Sequence, residues 1–292
     1  MLSRQKTVPR IALALSGGAA RGIAHVGVLR ALTENDIPID AIAGTSAGAL
    51  VGGAFASGMP LDEIEAIGRS LRWRDIGRMT MSRLGVQTNE RLEQYLRARL
   101  PKKRFEEFPI PLAVVATDLQ SGKPVIMREK GDVPFAIRAS CAIPGWYVPV
   151  VDFTGRQLVD GGLVANIPAQ VARAFDVDIV IAVDVNAEGA KFLSATSVIG
   201  VVLQSMMMVQ KTASLHQLQT ADYVIRPSVG HIRWDEMSRA NELIKAGYEA
   251  GVESISEIRN VIETAIKAMP RWYQFGRKRS SQRFISKVPI QD

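Results

Sequence analysis

The sequence predicts an α/β fold with a mainly parallel central sheet flanked by helices and a helical C-terminal region. Two short apolar runs, 10–16 and 39–43, are typical of strands that are buried on both faces of a parallel sheet. Each run leads into a glycine-containing turn, and apolar residues at helical spacing follow each turn. This order is that of a βαβ unit, whose loops both open at the carboxyl ends of parallel strands.

The remaining elements are predicted from the same periodicities and from glycine and proline breaks. Helices are expected at 61–71, from Thr88, at 133–142, at 167–175, at 193–219 and within 235–269, and strands at 111–117, 123–127, 178–185 and 223–227. The stretch 73–86 mixes tryptophan, methionine and arginine without a clear period, so a loop or loose cap is expected there. Polar residues interrupt the long apolar stretch 192–209, which favours a buried helix over a membrane span.

The composition fits one large globular domain of 292 residues, 47% of them hydrophobic and 22% charged. We predict an arm at 1–9, a domain at 10–270 and a mobile basic tail at 271–292. The one cysteine, Cys141, allows no intrachain disulfide, and the first ten residues lack the apolar core of a signal peptide. A cytoplasmic location is therefore expected.

The net charge of +7 is concentrated in two segments. The segment Arg69–Arg104 has eleven Lys and Arg against three acids, and 271–292 has six against one. Such segments suit an anionic surface, either lipid headgroups or nucleic acid, although a solvated face and a frayed tail would look the same. No nucleic-acid reading motif accompanies them, so the favoured partner is an anionic membrane, contacted peripherally at its inner surface.

The pentapeptide Gly44-Thr45-Ser46-Ala47-Gly48 fits the G-x-S-x-G nucleophile elbow, in which a serine occupies a sharp turn between a strand and a helix. Gly44 and Gly48 remove side chains that would collide where the helix passes beneath the strand. The helix N-terminus directs free N–H groups at the serine. This pattern also occurs by chance in Gly/Ser-rich loops. The prediction of an elbow therefore depends on the buried strand that precedes the pentapeptide.

The first strand ends in a glycine loop, Gly17-Gly18-Ala19-Ala20-Arg21-Gly22. Its spacing matches neither the dinucleotide fingerprint nor the P-loop. The N–H groups of Gly17, Gly18 and Ala19 are instead predicted to form an oxyanion hole for the alkoxide produced when Ser46 attacks a carbonyl. Arg21 either holds the shape of this loop or is an exposed residue at a helix start.

A serine hydroxyl needs a partner that takes its proton. The chain has three histidines, His25 and His216 in predicted helices and His231 in a loop. Only His231 is placed as an active-site histidine would be, and no acid stands in an obvious orienting position for any of them.

The other candidate base is Asp160, which precedes Gly161 and Gly162 in apolar surroundings. Burial there would raise its pKa above the reference of about 3.9, as a base working near neutral pH requires. The same three residues also fit a simple hairpin turn. The residues alone leave both the histidine and the hairpin alternatives open.

Together with the segment Ala139-Ser140-Cys141-Ala142-Ile143-Pro144-Gly145, these three blocks resemble the patatin-like phospholipase family, particularly its bacterial members, and the catalytic domain of neuropathy target esterase. The resemblance spans about 11–184. It implies a Ser-Asp dyad without histidine, with Ser46 as nucleophile and Asp160 as base, and the glycine loop as oxyanion hole, to which we expect the Ala47 N–H to contribute. It also implies hydrolysis of acyl esters of lipids without a metal or other cofactor.

One position departs from the family pattern, since Ala19 stands where the third loop glycine is expected, and a positive φ there would strain an alanine. The residues expected to support the site's loops are Arg21, Gly22, Gly44, Gly48, Gly161 and Gly162. The expected function is hydrolysis of lysophospholipid, phospholipid or simple esters. A weakly active regulatory or scaffold protein of the same fold and an acyltransferase using the same dyad are the alternatives.

Overall fold

The computed structural model describes residues 9–187 and 198–268. The predicted tail at 271–292 and most of the predicted arm lie outside the described residues. The strands are β1 Ile11–Leu15, β2 Ala41–Thr45, β3 Arg78–Met79, β4 Gly85–Thr88, β5 Leu112–Asp118, β6 Pro124–Arg128, β7 Gly145–Tyr147, β8 Val150–Val151, β9 Gln157–Asp160, β10 Ile179–Val183 and β11 Tyr223–Ile225. The helices are α1 Ala24–Glu34, α2 Ala47–Ala56, α3 Leu61–Ser70, α4 Trp73–Ile76, α5 Glu90–Arg99, α6 Val133–Ser140, α7 Gly162–Ala165, α8 Ala169–Arg173, α9 Val198–Gln217 and α10 Ala240–Ala268.

The central sheet has the strand order β11-β10-β1-β2-β5-β9-β8, and β6 also pairs with β5. The five strands from β11 to β5 are mutually parallel, whereas β6, β8 and β9 run antiparallel to their neighbours. This arrangement confirms the predicted mainly parallel sheet. It also places the loops after β1 and β2 side by side at the carboxyl edge of the sheet, because these two strands are adjacent and parallel.

The sheet is covered on both faces, as the continuous apolar strands require. One face packs against a large cluster that includes α1 and α10, and these two helices meet at Gly27 and Gly247. A Cβ at either glycine would overlap backbone atoms of the opposite helix, so the close crossing needs both. The other face is lined by alanines of β1, β2 and β5, and these small residues let α8 lie close to the sheet.

Of the two alternatives at 73–86, a loop or a loose cap, the loop was wrong, because this stretch contains α4 and the β3–β4 hairpin. The strand β4 pairs with β7, with Gly85 opposite Gly145, and forms a second small sheet. These elements are two to four residues long, too short for periodicity to reveal, and their pairing joins distant parts of the chain. The following helix starts at Glu90 instead of Thr88, which is the last residue of β4.

The expectation that the long apolar helix is buried was also wrong. The helix α9 lies at the surface, and most of its described side chains are exposed or half-buried. None of the helices within the described ranges combines the length and the hydropathy that crossing a membrane would require.

Candidate active site

Ser46 lies at the turn between β2 and α2 with φ +52° and ψ −121°. A positive φ is unfavourable for a non-glycine residue and is characteristic of strained functional turns. The side chain is only 6% exposed. Its hydroxyl donates a hydrogen bond of 2.6 Å to Oδ2 of Asp160, a residue 114 positions away in the sequence.

The glycines around Ser46 allow backbone segments to approach closely. A Cβ at Gly48 would overlap the carbonyl oxygen of Leu15, and one at Gly22 would overlap the side chain of Ala47. A Cβ at Gly44 would lie 2.6–2.7 Å from backbone atoms of α2. The elbow is therefore packed directly against the end of β1 and the glycine loop, which leaves no room for larger residues.

Asp160 is the last residue of β9, opposite Ala116 in the neighbouring strand, and does not lie in a hairpin turn. Its Oδ1 accepts the N–H of Gly162 at 2.8 Å, while Oδ2 accepts the hydroxyl of Ser46. A Cβ at Gly161 would overlap the carbonyl oxygen of Val115, so this turn also needs a glycine. Burial raises the pKa of the Asp160 carboxyl to about 6, and the two hydrogen bonds offset part of that rise.

The glycine loop lies beside the Ser46–Asp160 pair, but its amides are not equivalent. The Gly17 N–H donates to the carbonyl oxygen of Asn166 at 3.0 Å, so this donor is already engaged and its predicted place in an oxyanion hole needs correction. The amides of Gly18, Ala19 and Ala47 have no hydrogen-bond partner among the residues that the structure describes. Ala19 has a φ of +50°, so the strain considered from the sequence is present.

Arg21 is buried, at 2% exposure, which rules out the exposed alternative. Its Nε donates to the carbonyl oxygen of Ile232 at 2.6 Å, and its Nη1 donates to Oδ1 of Asn186 at 3.3 Å. The Asn186 amide in turn donates to the carbonyl oxygen of Gly17 at 2.7 Å. Arg21 therefore connects the glycine loop to two distant segments and holds its shape.

The histidines lie elsewhere. His25 is fully buried, its Nε2 lies 2.9 Å from the carbonyl oxygen of Ser16, and burial lowers its pKa to about 4. His216 is exposed on α9. His231 lies 2.7 Å from Glu242, so the expectation that no acid orients a histidine was wrong, but this pair lines a different pocket from the one that contains Ser46.

A pocket of about 850 Å³, including its open mouth, contains Ser46, Asp160 and the glycine loop. Its apolar lining comprises Ile143, Pro144, Met206, Met207 and Trp234, and its polar lining includes Arg21, Asn166, Asn186, Gln210 and Lys211. Within the described residues, no group of three or more potential metal-ligating side chains comes together. The site can thus combine an activated hydroxyl, nearby amide donors and an apolar wall.

Sequence reasoning missed several of these residues. Ser140, whose hydroxyl accepts the Ser46 N–H at 2.8 Å, lies in the 139–145 segment but received no role. Asn166, Asn186 and Trp234 had no recognisable sequence signal, because only tertiary folding brings them to the pocket. The sequence indicates a buried helix over 192–209, whereas Met206 and Met207 line the pocket.

The family model for patatin-like phospholipase matches residues 13–173. An uncharacterized NTE family protein of Mycobacterium tuberculosis is 41% identical over 190 residues, which cover 64% of this chain and 52% of the relative. Patatin-like phospholipase domain-containing protein 7 of Rattus norvegicus is 29% identical over 288 residues, covering 86% of this chain and 21% of that protein.

The crystal structure of VipD from Legionella pneumophila superimposes with a TM-score of 0.55 at 15% identity, covering 89% of this chain and 67% of that one, and so shares the fold. The chain spans about half the length of the mycobacterial relatives that it matches. Since the family model covers more than half of the sequence, from β1 through the elbow and Asp160 to α8, the chain belongs to the patatin-like phospholipase family.

Proposed function

We propose that the protein is a serine acyl hydrolase that cleaves acyl esters of lipids, either lysophospholipids, phospholipids or simple esters. Ser46 is the nucleophile and Asp160 is the base. The observation that carries this proposal is the 2.6 Å hydrogen bond between the two buried side chains. A carboxyl with a pKa of about 6 is a suitable proton acceptor near neutral pH, because it is mostly ionised there and still holds a proton in the next step.

In the acylation step, the Ser46 hydroxyl transfers its proton to Oδ2 of Asp160 as Oγ attacks the ester carbonyl carbon. The π electrons of the carbonyl move onto its oxygen, which gives a tetrahedral alkoxide. The free amides of Gly18, Ala19 and Ala47 are proposed to stabilise this alkoxide. The alkoxide then collapses and expels the leaving alcohol, which takes the proton from Asp160. The products are an ester on Ser46 and the free alcohol.

In the deacylation step, Asp160 accepts a proton from a water molecule as that water attacks the ester on Ser46. The second tetrahedral alkoxide occupies the same amide donors. Its collapse releases the carboxylic acid, and the proton returns from Asp160 to the Ser46 oxygen. An acyltransferase would use an alcohol in place of water. The two reactions therefore differ only in the molecule that accepts the acyl group from Ser46.

The pocket supports a lipid substrate because its apolar wall can hold an acyl chain while its polar side faces the ester and headgroup. We place the protein in the cytoplasm, in peripheral contact with the inner membrane surface. Within Arg69–Arg104, however, several arginines are held by ion pairs, including Arg97 with Asp132 and Arg104 with Glu106. The contribution of the whole segment Arg69–Arg104 to membrane binding therefore stays a prediction.

The test uses Ser46→Ala and Asp160→Asn, each assayed on a soluble p-nitrophenyl ester and on a mixed lipid extract analysed by mass spectrometry. Both variants should lose at least about a thousandfold in kcat and keep the wild-type circular dichroism spectrum. Asp118→Asn is the matched control, because Asp118 is also a buried aspartate at a strand end but only caps a turn through Ser121 and Gln120. Full activity in either dyad variant would rule out the mechanism.

Covalent labelling with a fluorophosphonate separates the enzyme from a scaffold protein of the same fold. Wild type should be labelled at Ser46, because labelling needs an activated hydroxyl. The absence of labelling in a folded sample would favour a regulatory or scaffold role.

A further inference from the structure

The helix α9 forms one wall of the active-site pocket, to which it contributes Met206, Met207, Gln210 and Lys211. Across its 20 residues it contains no aspartate or glutamate, and Lys211 is its one lysine or arginine. Gln217, near the C-terminal end of α9, anchors the helix, because its side-chain amide donates to the carbonyl oxygen of Val164. One side of α9 therefore belongs to the site.

The side of α9 that faces away from the pocket is apolar as well. Its exposed large side chains, between 47% and 69% accessible, are Val201, Val202, Met208, Val209 and Leu215. The exposed polar residues of this helix are Ser205, Lys211, Thr212 and His216, of which Ser205 and Thr212 are uncharged. The outer face of a surface helix in a water-soluble protein is normally charged, and clustered apolar exposure marks an interaction surface.

A second exposed apolar segment lies beside the same pocket. The β3–β4 hairpin exposes Met79, Met81 and Leu84, with Met81 fully accessible. Its strand β4 pairs with β7, which directly follows the pocket-lining residues Ile143 and Pro144. The hairpin is therefore joined to the strand that follows two residues of the pocket lining.

The charges in these two segments have one sign. The hairpin has Arg78 and Arg83, both exposed and without an ion pair to any described residue, and no acid occurs between Asp75 and Glu90. Lys211 is exposed on α9. Apolar side chains bordered by cations, with no acid within α9 or the hairpin, complement an anionic lipid surface.

We propose that the outer face of α9 and the tip of the β3–β4 hairpin together dock the protein on an anionic lipid bilayer, with the mouth of the pocket next to the lipid. This docking surface deepens the proposed lipid hydrolase function and rests on it. The aliphatic and methionine side chains insert at the boundary between headgroups and acyl chains, and Arg78, Arg83 and Lys211 contact the phosphates. A lipid can then move into the pocket without crossing water.

The test measures binding to vesicles of phosphatidylcholine with and without phosphatidylglycerol, by co-sedimentation. Wild type should bind more tightly as phosphatidylglycerol is added and less tightly as salt is raised. The double variant Val209→Glu/Leu215→Glu should bind at least about tenfold more weakly, because it loses two inserted aliphatic groups and adds two anions. Val252→Glu is the matched control, since Val252 is an exposed valine on α10, which contributes no residue to the pocket lining.

Two further measurements separate failure of the docking surface from failure of the proposed chemistry. The double variant should hydrolyse a soluble short-chain ester as wild type does while losing hydrolysis of vesicle lipid. Ser46→Ala should bind vesicles like wild type, because Ser46 is not part of the docking surface. Equal vesicle binding by wild type, the double variant and Val252→Glu would overturn the proposal.

The other possible occupant of this surface is a second copy of the chain. Analytical ultracentrifugation without lipid distinguishes it, since the docking proposal expects the same sedimentation for wild type and for the double variant. A wild-type dimer that the double variant converts to a monomer, combined with no vesicle binding, would also overturn the proposal.

Discussion

The Ser140 hydroxyl holds the backbone of Ser46 by accepting its N–H at 2.8 Å and donating to the carbonyl oxygen of Val115 at 2.5 Å. Ser140 is fully buried, so water cannot take over either contact. The strand β5 that contains Val115 also pairs with β9 at Asp160. The backbone of the proposed nucleophile and the proposed base are thereby fixed to the same strand.

Ser140→Ala should lower kcat about tenfold to a hundredfold on a soluble ester and leave KM nearly unchanged. The substitution leaves the buried Ser46 N–H without an acceptor, at a cost of about 1–3 kcal/mol, and it loosens the strained turn on which the hydroxyl depends. Ser57→Ala is the matched control, because the buried Ser57 hydroxyl donates only to Ala54, at the far end of α2. A loss of kcat that is equal in the two variants would show a general stability effect instead.

The pH dependence of kcat/KM should have an acid limb with a pKa near 6. The proposed base must be ionised in the free enzyme, and burial raises the pKa of Asp160 to about 6, so activity rises with pH through this value and then levels off. Steady-state rates on a soluble ester across this range provide the measurement. A profile that stays flat down to about pH 4, near the reference pKa of aspartate, would contradict the assignment of Asp160 as base.

Asp160→Asn should stabilise the fold at pH 8 and have little effect near pH 3.5. The folded-state pKa of about 6 lies above the unfolded value of about 3.9, so the native state binds its proton more tightly. The protonated Asp160 carboxyl therefore contributes its full stabilisation to the native state below about pH 4, and this stabilisation is lost as the pH rises through 6. The asparagine oxygen can accept the Gly162 N–H while its NH2 donates to the Ser46 oxygen, so both contacts keep a hydrogen bond. The free energy of unfolding at pH 8 should therefore rise by about 1–3 kcal/mol.

Urea unfolding at the two pH values measures this difference. A variant that is less stable than wild type at pH 8 would show that the ionised carboxylate is favourable in the fold. The predicted direction also implies that the protein gives up stability for a buried anion at the candidate site, as a proposed desolvated base requires.

The parallel part of the central sheet was predictable because its strands are short and apolar, and because the order β1, glycine loop, α1, β2, elbow fits a βαβ unit. The hairpin β3–β4 was not predictable, since its pairing with β7 depends on residues about sixty positions apart. The surface position of α9 also escaped prediction. An apolar helix looks alike in sequence whether its outer face meets a protein core or, as we propose, lipid.

Within the site, the proximity of Ser46 and Asp160 could be anticipated only through the family resemblance, because the residues alone left a histidine base and a hairpin open. Periodicity does not specify which loop amides are engaged. The Gly17 N–H is occupied because the Asn166 carbonyl, from a segment some 150 residues later, folds back onto it. Such contacts between distant segments follow from the tertiary packing and not from any local pattern.

The strain at Ala19 leads to a last prediction, in which the same substitution at two adjacent alanines has opposite effects. Ala19 has a φ of +50°, whereas Ala20 is fully buried and is not among the residues with positive φ. Ala19→Gly should raise the free energy of unfolding by about 0.5–1 kcal/mol, because relief of the left-handed strain exceeds the added freedom of the unfolded chain. Ala20→Gly should lower the free energy of unfolding by about 1 kcal/mol, because the glycine adds conformational freedom to the unfolded chain and removes a buried methyl group. Ala19→Gly keeps its N–H, so its kcat/KM should stay within about threefold of wild type, and a larger loss would mean that the methyl group itself shapes the glycine loop.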